Sequence, residues 1–110
     1  MIFTYLEDTQ MIYLTVLIYI KEGKEDVFHQ FEEIAIPTIS KYNGRLTLRI
    51  RPEKDSIIEN NIEVPYEIHL VEFDSEKDFE NFKKDEERKQ FLHLKEDSIK
   101  YSILIKGIKL

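Results

Sequence analysis

The sequence predicts an α+β fold, a four-stranded antiparallel sheet with two helices on one of its faces. Three features of the 110 residues carry that expectation. Four short segments are rich in β-branched and aromatic residues, and two longer segments repeat their apolar residues at three- and four-residue steps. The order is strand, helix, strand, strand, helix, strand, with turn-forming residues between them. No repeat, linker or low-complexity tract interrupts this order, so residues 11–110 are expected to form a single domain.

The first strand is expected over 13–20, with Leu14, Val16, Ile18 and Ile20 on one face and Tyr13, Thr15, Leu17 and Tyr19 on the other. Both faces are largely apolar, as in a central strand covered on two sides. A helix follows over 24–42, where Val27, Phe28, Phe31, Ile34, Ala35, Ile39 and Tyr42 make one apolar stripe. Pro37 lies inside it and predicts a kink or break near Ala35-Ile36. Asn43-Gly44 is a helix stop, because both residues tolerate the left-handed conformation.

Strand two, 45–51, alternates Leu46, Leu48 and Ile50 against Arg45, Thr47, Arg49 and Arg51. A polar connection runs over 52–65, with room for a short extra strand at 56–58. Strand three, 66–73, sets Tyr66, Ile68, Leu70 and Glu72 against Glu67, His69, Val71 and Phe73. Ser75 then caps a second helix anchored by Phe79 and Phe82, with Asp78 three residues beyond the cap. The charged run 83–89 reads as a solvated helical face. Strand four is 101–108. This is the ferredoxin-like βαββαβ order, in which the helices share one sheet face.

Composition narrows the chemistry. Sixteen basic residues against twenty-two acidic ones give a net charge of −6, which argues against nucleic acid as the partner. Cysteine is absent, which excludes disulfides, thiolate metal sites and thiol catalysis. The most apolar run, 11–20, is too short for the roughly 20 residues of a membrane helix. It also lacks the basic flank of a signal peptide, so the cytoplasm is the expected compartment. Residues 1–10 fit no element and are expected to be a poorly packed tail.

Two helices can cover only one face of the sheet. Tyr13, Leu17 and Tyr19, with either phase of strand three, leave large apolar groups on the other face. That exceeds what a monomer commonly exposes. A symmetric homodimer with the two sheets face to face is therefore expected.

Ile34-Ala35-Ile36-Pro37 with Lys41-Tyr42-Asn43-Gly44-Arg45, then Val71-Glu72-Phe73-Asp74-Ser75, then Ile103-Leu104-Ile105-Lys106-Gly107, resemble a family of small uncharacterised proteins. That family lies in the dimeric α/β-barrel superfamily, which includes antibiotic-biosynthesis-type monooxygenases. The resemblance spans about residues 12–108 and implies a dimeric α/β barrel. It differs in carrying Asn43-Gly44 where the family commonly has two glycines. It also places Lys95 where the family tends to carry an arginine near the end of helix two. At an inherited anion site, Lys95 would replace a bidentate fork with a point charge.

His69 is the foremost candidate residue, with Glu67 two positions away on the same face. It reads either as a proton carrier lining a pocket or as an interface histidine oriented by a carboxylate. Arg49 reads as an anion ligand or as an edge-strand charge paired with Glu67. Glu72 shares a face with Ile68 and Leu70, so it is a semi-buried general base, a helix cap or a lysine partner. Tyr19 joins Arg49 and His69 as a candidate ligand contact. His29 is expected in solvent beside Glu32 and Glu33, and His93 near the end of helix two. No histidine spacing suggests a metal, no glycine loop a phosphate, and no cofactor is expected.

Two function classes follow. One is a dimeric binding or structural protein with a small-molecule cavity. The other, implied by the resemblance, is a cofactor-independent monooxygenase- or isomerase-like enzyme for a small aromatic or keto substrate. In it His69 and Glu72 carry the chemistry and Arg49 steadies an enolate.

Overall fold

A computed structural model describes residues 10–110. The expectation for the N-terminal tail thus falls, save for Gln10, outside the described residues. The elements are β1 (Ile12–Ile20), α1 (Glu25–Ile39), β2 (Gly44–Ile50), β3 (Glu67–Phe73), α2 (Glu76–Lys83), α3 (Glu86–Gln90), α4 (Leu92–Ser98) and β4 (Ile99–Gly107). The strands form one antiparallel sheet in the order β2-β3-β1-β4. This is the ferredoxin-like topology, with the helices packed on one face. No helix among the described residues is long and apolar enough to cross a membrane.

The register decides which residues reach the helices. Leu14 lies opposite Val71, Val16 opposite His69 and Ile18 opposite Glu67, so these six share the helix-facing side. The core joins Leu14, Ile39, Val71, Phe73 and Phe79. Phe73 is fully buried, and truncating a buried phenylalanine to alanine removes about 3–5 kcal/mol.

Helix α1 runs unbroken through Pro37, against the expected kink or break. Proline sacrifices one backbone hydrogen bond, but Phe28, Phe31, Ala35 and Ile39 bury along one stripe, and tertiary packing sustains the helix. A 3-10 turn, Ser40–Tyr42, ends it. Of the Asn43-Gly44 pair only Asn43 takes the left-handed conformation, at φ 57°. Gly44 is needed for a different reason: a Cβ there would sit 2.5 Å from the Phe73 ring and 2.8 Å from Ile39.

Three further expectations are corrected. Between Leu46 and Leu48 the β2–β3 register shifts by a bulge, so the single alternation read over strand two is broken. Leu46 packs on the core, whereas Leu48 and Ile50 lie on the open face opposite Leu70 and Ile68. Arg49 and Arg51 then turn to the helix side, leaving Arg45 on the open one. Segment 56–58 is not a strand; a 3-10 turn, Lys54–Ser56, stands in the connection instead.

Finally, the second helix is three. Ser75 caps α2 as expected, its Oγ accepting from the Asp78 N–H at 3.1 Å. Asp85 then starts a new helix by accepting from the Arg88 N–H at 2.8 Å. The charged run therefore does not lie on one solvated face: Asp85 is buried and Arg88 half-buried. His93 is exposed in the first turn of α4 rather than at a helix end.

The open face is apolar, as anticipated. Leu48, Ile50, Tyr101, Ile103 and Ile105 are all exposed there, Ile105 by 53%.

Candidate functional site

Between the sheet and the helices lies a cavity of about 210 Å³. Its walls are mainly apolar, from Leu14, Val16 and Val71 of the sheet and from Phe31 and Ala35 of α1. Five ionisable side chains interrupt them: Glu32, His69, Lys83, Arg88 and Lys95.

His69 is placed by the middle strand β3 and is 6% exposed. Its Nε2 lies 2.8 Å from Glu67 Oε1. Glu67 is wholly buried and also accepts from Arg49 Nε at 2.7 Å, Arg49 Nη2 at 3.0 Å and Arg51 Nε at 2.6 Å. Burial pushes the Glu67 carboxyl up, but the hydrogen bonds from His69, Arg49 and Arg51 outweigh it and hold the group at about 2. An ionised carboxylate only accepts, so the proton between them sits on His69 Nε2. In the neutral imidazole Nδ1 is then the acceptor.

Beyond this cluster, Arg51 Nη2 donates to His29 Nε2 at 3.0 Å, and the Tyr66 hydroxyl lies 2.8 Å from the same nitrogen. His29 is therefore half-buried in a polar network, not out in solvent as expected.

Glu32 is buried on α1. Burial raises its carboxyl above the usual range, and no hydrogen bond among the described residues counters this; His69, Arg49 and Arg88 lower it only through space. Arg88 packs over the Phe82 and Phe31 rings, at 5.0 and 5.9 Å to their centroids. Its Nε is buried without a hydrogen-bond partner. Burial lowers the affinity of both Arg88 and Lys95 for their protons, and Lys95 feels the Arg88 charge as well.

The residues singled out from sequence divide between the two faces. His69 and Arg49 meet at Glu67 on the helix side. Tyr19 is on the opposite side of the sheet, buried and stacked on Tyr101 at 4.3 Å between centroids. Glu72 is also on the open face, where Arg45 Nε donates to it at 2.8 Å. The face it shares with Ile68 and Leu70 is thus not the helix-covered core, and the sheet separates Glu72 from His69. Arg49 donates from Nε and Nη2 to Glu67 and does not line the cavity.

Sequence reading passed over Glu32 and Arg88. Glu32 had a signal: it falls four residues after Phe28 and three before Ala35, on the buried stripe itself. Arg88 had little, because its direction depends on the helix break before Asp85. Among the described residues no three His, Cys, Asp or Glu side chains are grouped to hold a metal ion.

No family model matches the chain, and no curated protein matches it in sequence. Solved structures do. A protein of unknown function from Rhodopseudomonas palustris is similar at TM-score 0.80 and 14% identity, over 98% of this chain and 88% of its own. A NIPSNAP family protein of unknown function from Agrobacterium tumefaciens is similar at TM-score 0.65 and 18% identity, over 90% and 87%. A dimeric protein of unknown function with a ferredoxin-like fold, from Bacteroides fragilis, is similar at TM-score 0.64 and 16% identity, over 90% and 96%. These likenesses are structural, and they show that the chain has the ferredoxin-like fold of the Bacteroides fragilis protein.

Proposed function

We propose that this chain forms a homodimer through its open sheet face and binds a small molecule between sheet and helices in each protomer. The cavity supports the binding reading: it is mainly apolar, yet it holds a buried guanidinium nitrogen without a hydrogen-bond partner and, on the buried residue Glu32, a carboxyl with no hydrogen bond among the described residues. A purely structural interior would fill such a space or pair such groups, since burying unpartnered polar atoms is unfavourable. The exposed apolar residues of β2 and β4 support the dimer, as does the dimeric state of the Bacteroides fragilis neighbour.

A second reading has its own support. Glu67 fixes His69 with its proton on Nε2, which leaves Nδ1 as a proton acceptor in a residue lining the cavity. That arrangement suits a cofactor-independent enzyme moving a proton on a small aromatic or keto substrate.

A thermal-shift screen with phenolic, quinone and keto-acid compounds tests the binding reading. The expected result is a saturable rise in Tm that is lost in a still dimeric His69→Ala variant. No hit, together with a large loss of stability on His69→Ala, would make the cluster structural. A monomeric mass by light scattering at micromolar concentration would remove the dimer.

A further inference from the structure

Resting on the reading of this cavity as a binding site, we infer that its ligand is a small monocarboxylate, whose charged end meets Arg88 and Lys95 while its hydrocarbon part lies against the apolar walls. The argument is one of unmatched charge. Three cationic side chains line the cavity. Lys83 is paired with Glu80 at 3.0 Å, whereas neither Arg88 nor Lys95 has a carboxylate within ion-pairing distance among the described residues. The other exposed and half-buried cations near this sheet are mostly paired: Arg45 with Glu72 and Asp74, Arg49 and Arg51 with Glu67, Lys24 with Asp97.

The Arg88 guanidinium has one polar contact among the described residues, from Nη1 to the Lys83 carbonyl at 3.5 Å, which is too long for a good hydrogen bond. Its Nε has none. The guanidinium carbon lies over the Phe31 and Phe82 rings, and neither ring replaces the oxygen acceptors its N–H groups would take. A planar fork of donors matches a carboxylate. Lys95 adds a second positive charge from α4.

Glu32 supplies one opposing carboxyl, acting through space on both cations. With Lys83 neutralised by Glu80, two unpaired cations against one lining carboxylate leave the cavity one negative charge short. A monoanion closes that gap, and a dianion such as phosphate exceeds it. Size points the same way, because about 210 Å³ is below the roughly 300–1,000 Å³ of pockets for drug-sized ligands. Both cations come from the segment after the break in the second helical region, which closes one side of the cavity.

The test uses the full chain and pairs of probes alike in shape but not in charge: phenylacetate with phenylacetamide, and hexanoate with hexanamide. Binding is measured by calorimetry and by Tm. Each acid is expected to bind about tenfold or more tightly than its amide. Arg88→Gln and Lys95→Gln should each erase that preference, while Arg88→Lys keeps part of it. Far-ultraviolet circular dichroism checks that each variant is folded, and amide binding reports whether its cavity is intact. Amides binding as tightly as acids would overturn the carboxylate inference and leave the cavity reading standing. Binding of neither class would overturn both. An acid preference that survives both glutamine substitutions would place the anion elsewhere and overturn the assignment.

Discussion

Leu46 and Leu48 stand two positions apart on β2 yet project to opposite faces of the sheet. The bulge between them sets two residues of β2 against a single step of β3, so that Leu46 faces Val71 and Leu48 faces Leu70. A regular strand would place both leucines on one side. The consequence reaches the interior, because Arg49 and Arg51 turn with the strand toward Glu67. Had Thr47 paired regularly with Leu70, the same arginines would lie on the open face, and Glu67 would be buried without them.

Glu67 is therefore expected to govern acid stability. Its folded carboxyl titrates at about 2, below the ordinary value of 4.5. A depressed carboxylate stabilises the fold above the unfolded value, and that contribution is lost as pH falls from about 4.5 through about 2. Urea midpoints measured between pH 7 and 2 should fall across that window in the natural protein. Glu67→Gln should flatten the fall and reduce stability at pH 7 by a few kcal/mol, since breaking a buried pair leaves charges uncompensated.

Glu32 should behave in the opposite sense. Its folded carboxyl is raised by burial, so the folded state holds the proton more tightly than the unfolded one. Stability is then greatest in acid and declines as pH rises from 4.5 through the folded value. Glu32→Gln should raise Tm at neutral pH by a few degrees, with the gain disappearing toward pH 4. A lower Tm at neutral pH would mean that the carboxylate has a favourable partner.

Gly44→Ala should destabilise the fold by about 1–3 kcal/mol, the usual range for overpacking a core. The added methyl would lie 2.5 Å from the Phe73 ring and 2.8 Å from Ile39. Neither neighbour has room to withdraw, because both are buried in the core cluster. Asn43→Gly, one residue earlier, should change stability by less than 1 kcal/mol, because glycine accepts the left-handed φ at no steric cost. Denaturant midpoints distinguish the two positions.

The open face should respond to charge. Ile103→Asp and Leu48→Lys place charges on β4 and β2 among exposed apolar side chains, where a second sheet would bury them. Each should halve the mass found by light scattering while leaving the helical signal intact. A mass unchanged by both substitutions would assign the apolar face another role.

Much of this architecture was legible in local sequence. The alternation of β1 and β3, the Ser75 cap and the stripe through Phe28, Phe31, Ala35 and Ile39 each arise within one element. The excess of apolar residues over what two helices could cover was legible as well. Pro37 misled because its local penalty is real, whereas the packing that offsets it is distant in the chain. Glu72 was placed beside the correct neighbours, Ile68 and Leu70, but their shared face is the open one.

Sequence by itself determined the order of strands and helical regions, the topology class and which residues of β1 and β3 travel together. Periodicity carries that information because side-chain direction follows from backbone geometry over a few residues. Only the tertiary structure decided which face met the helices, where β2 bulged, and that Glu32, His69, Lys83, Arg88 and Lys95 would share one cavity. Those outcomes depend on strand register and on a helix break, and both are settled by contacts between residues far apart in the chain. The candidate site consists of such contacts: α1, β3, α2, α3 and α4 each supply one ionisable group, and none of the five is a neighbour of another in sequence.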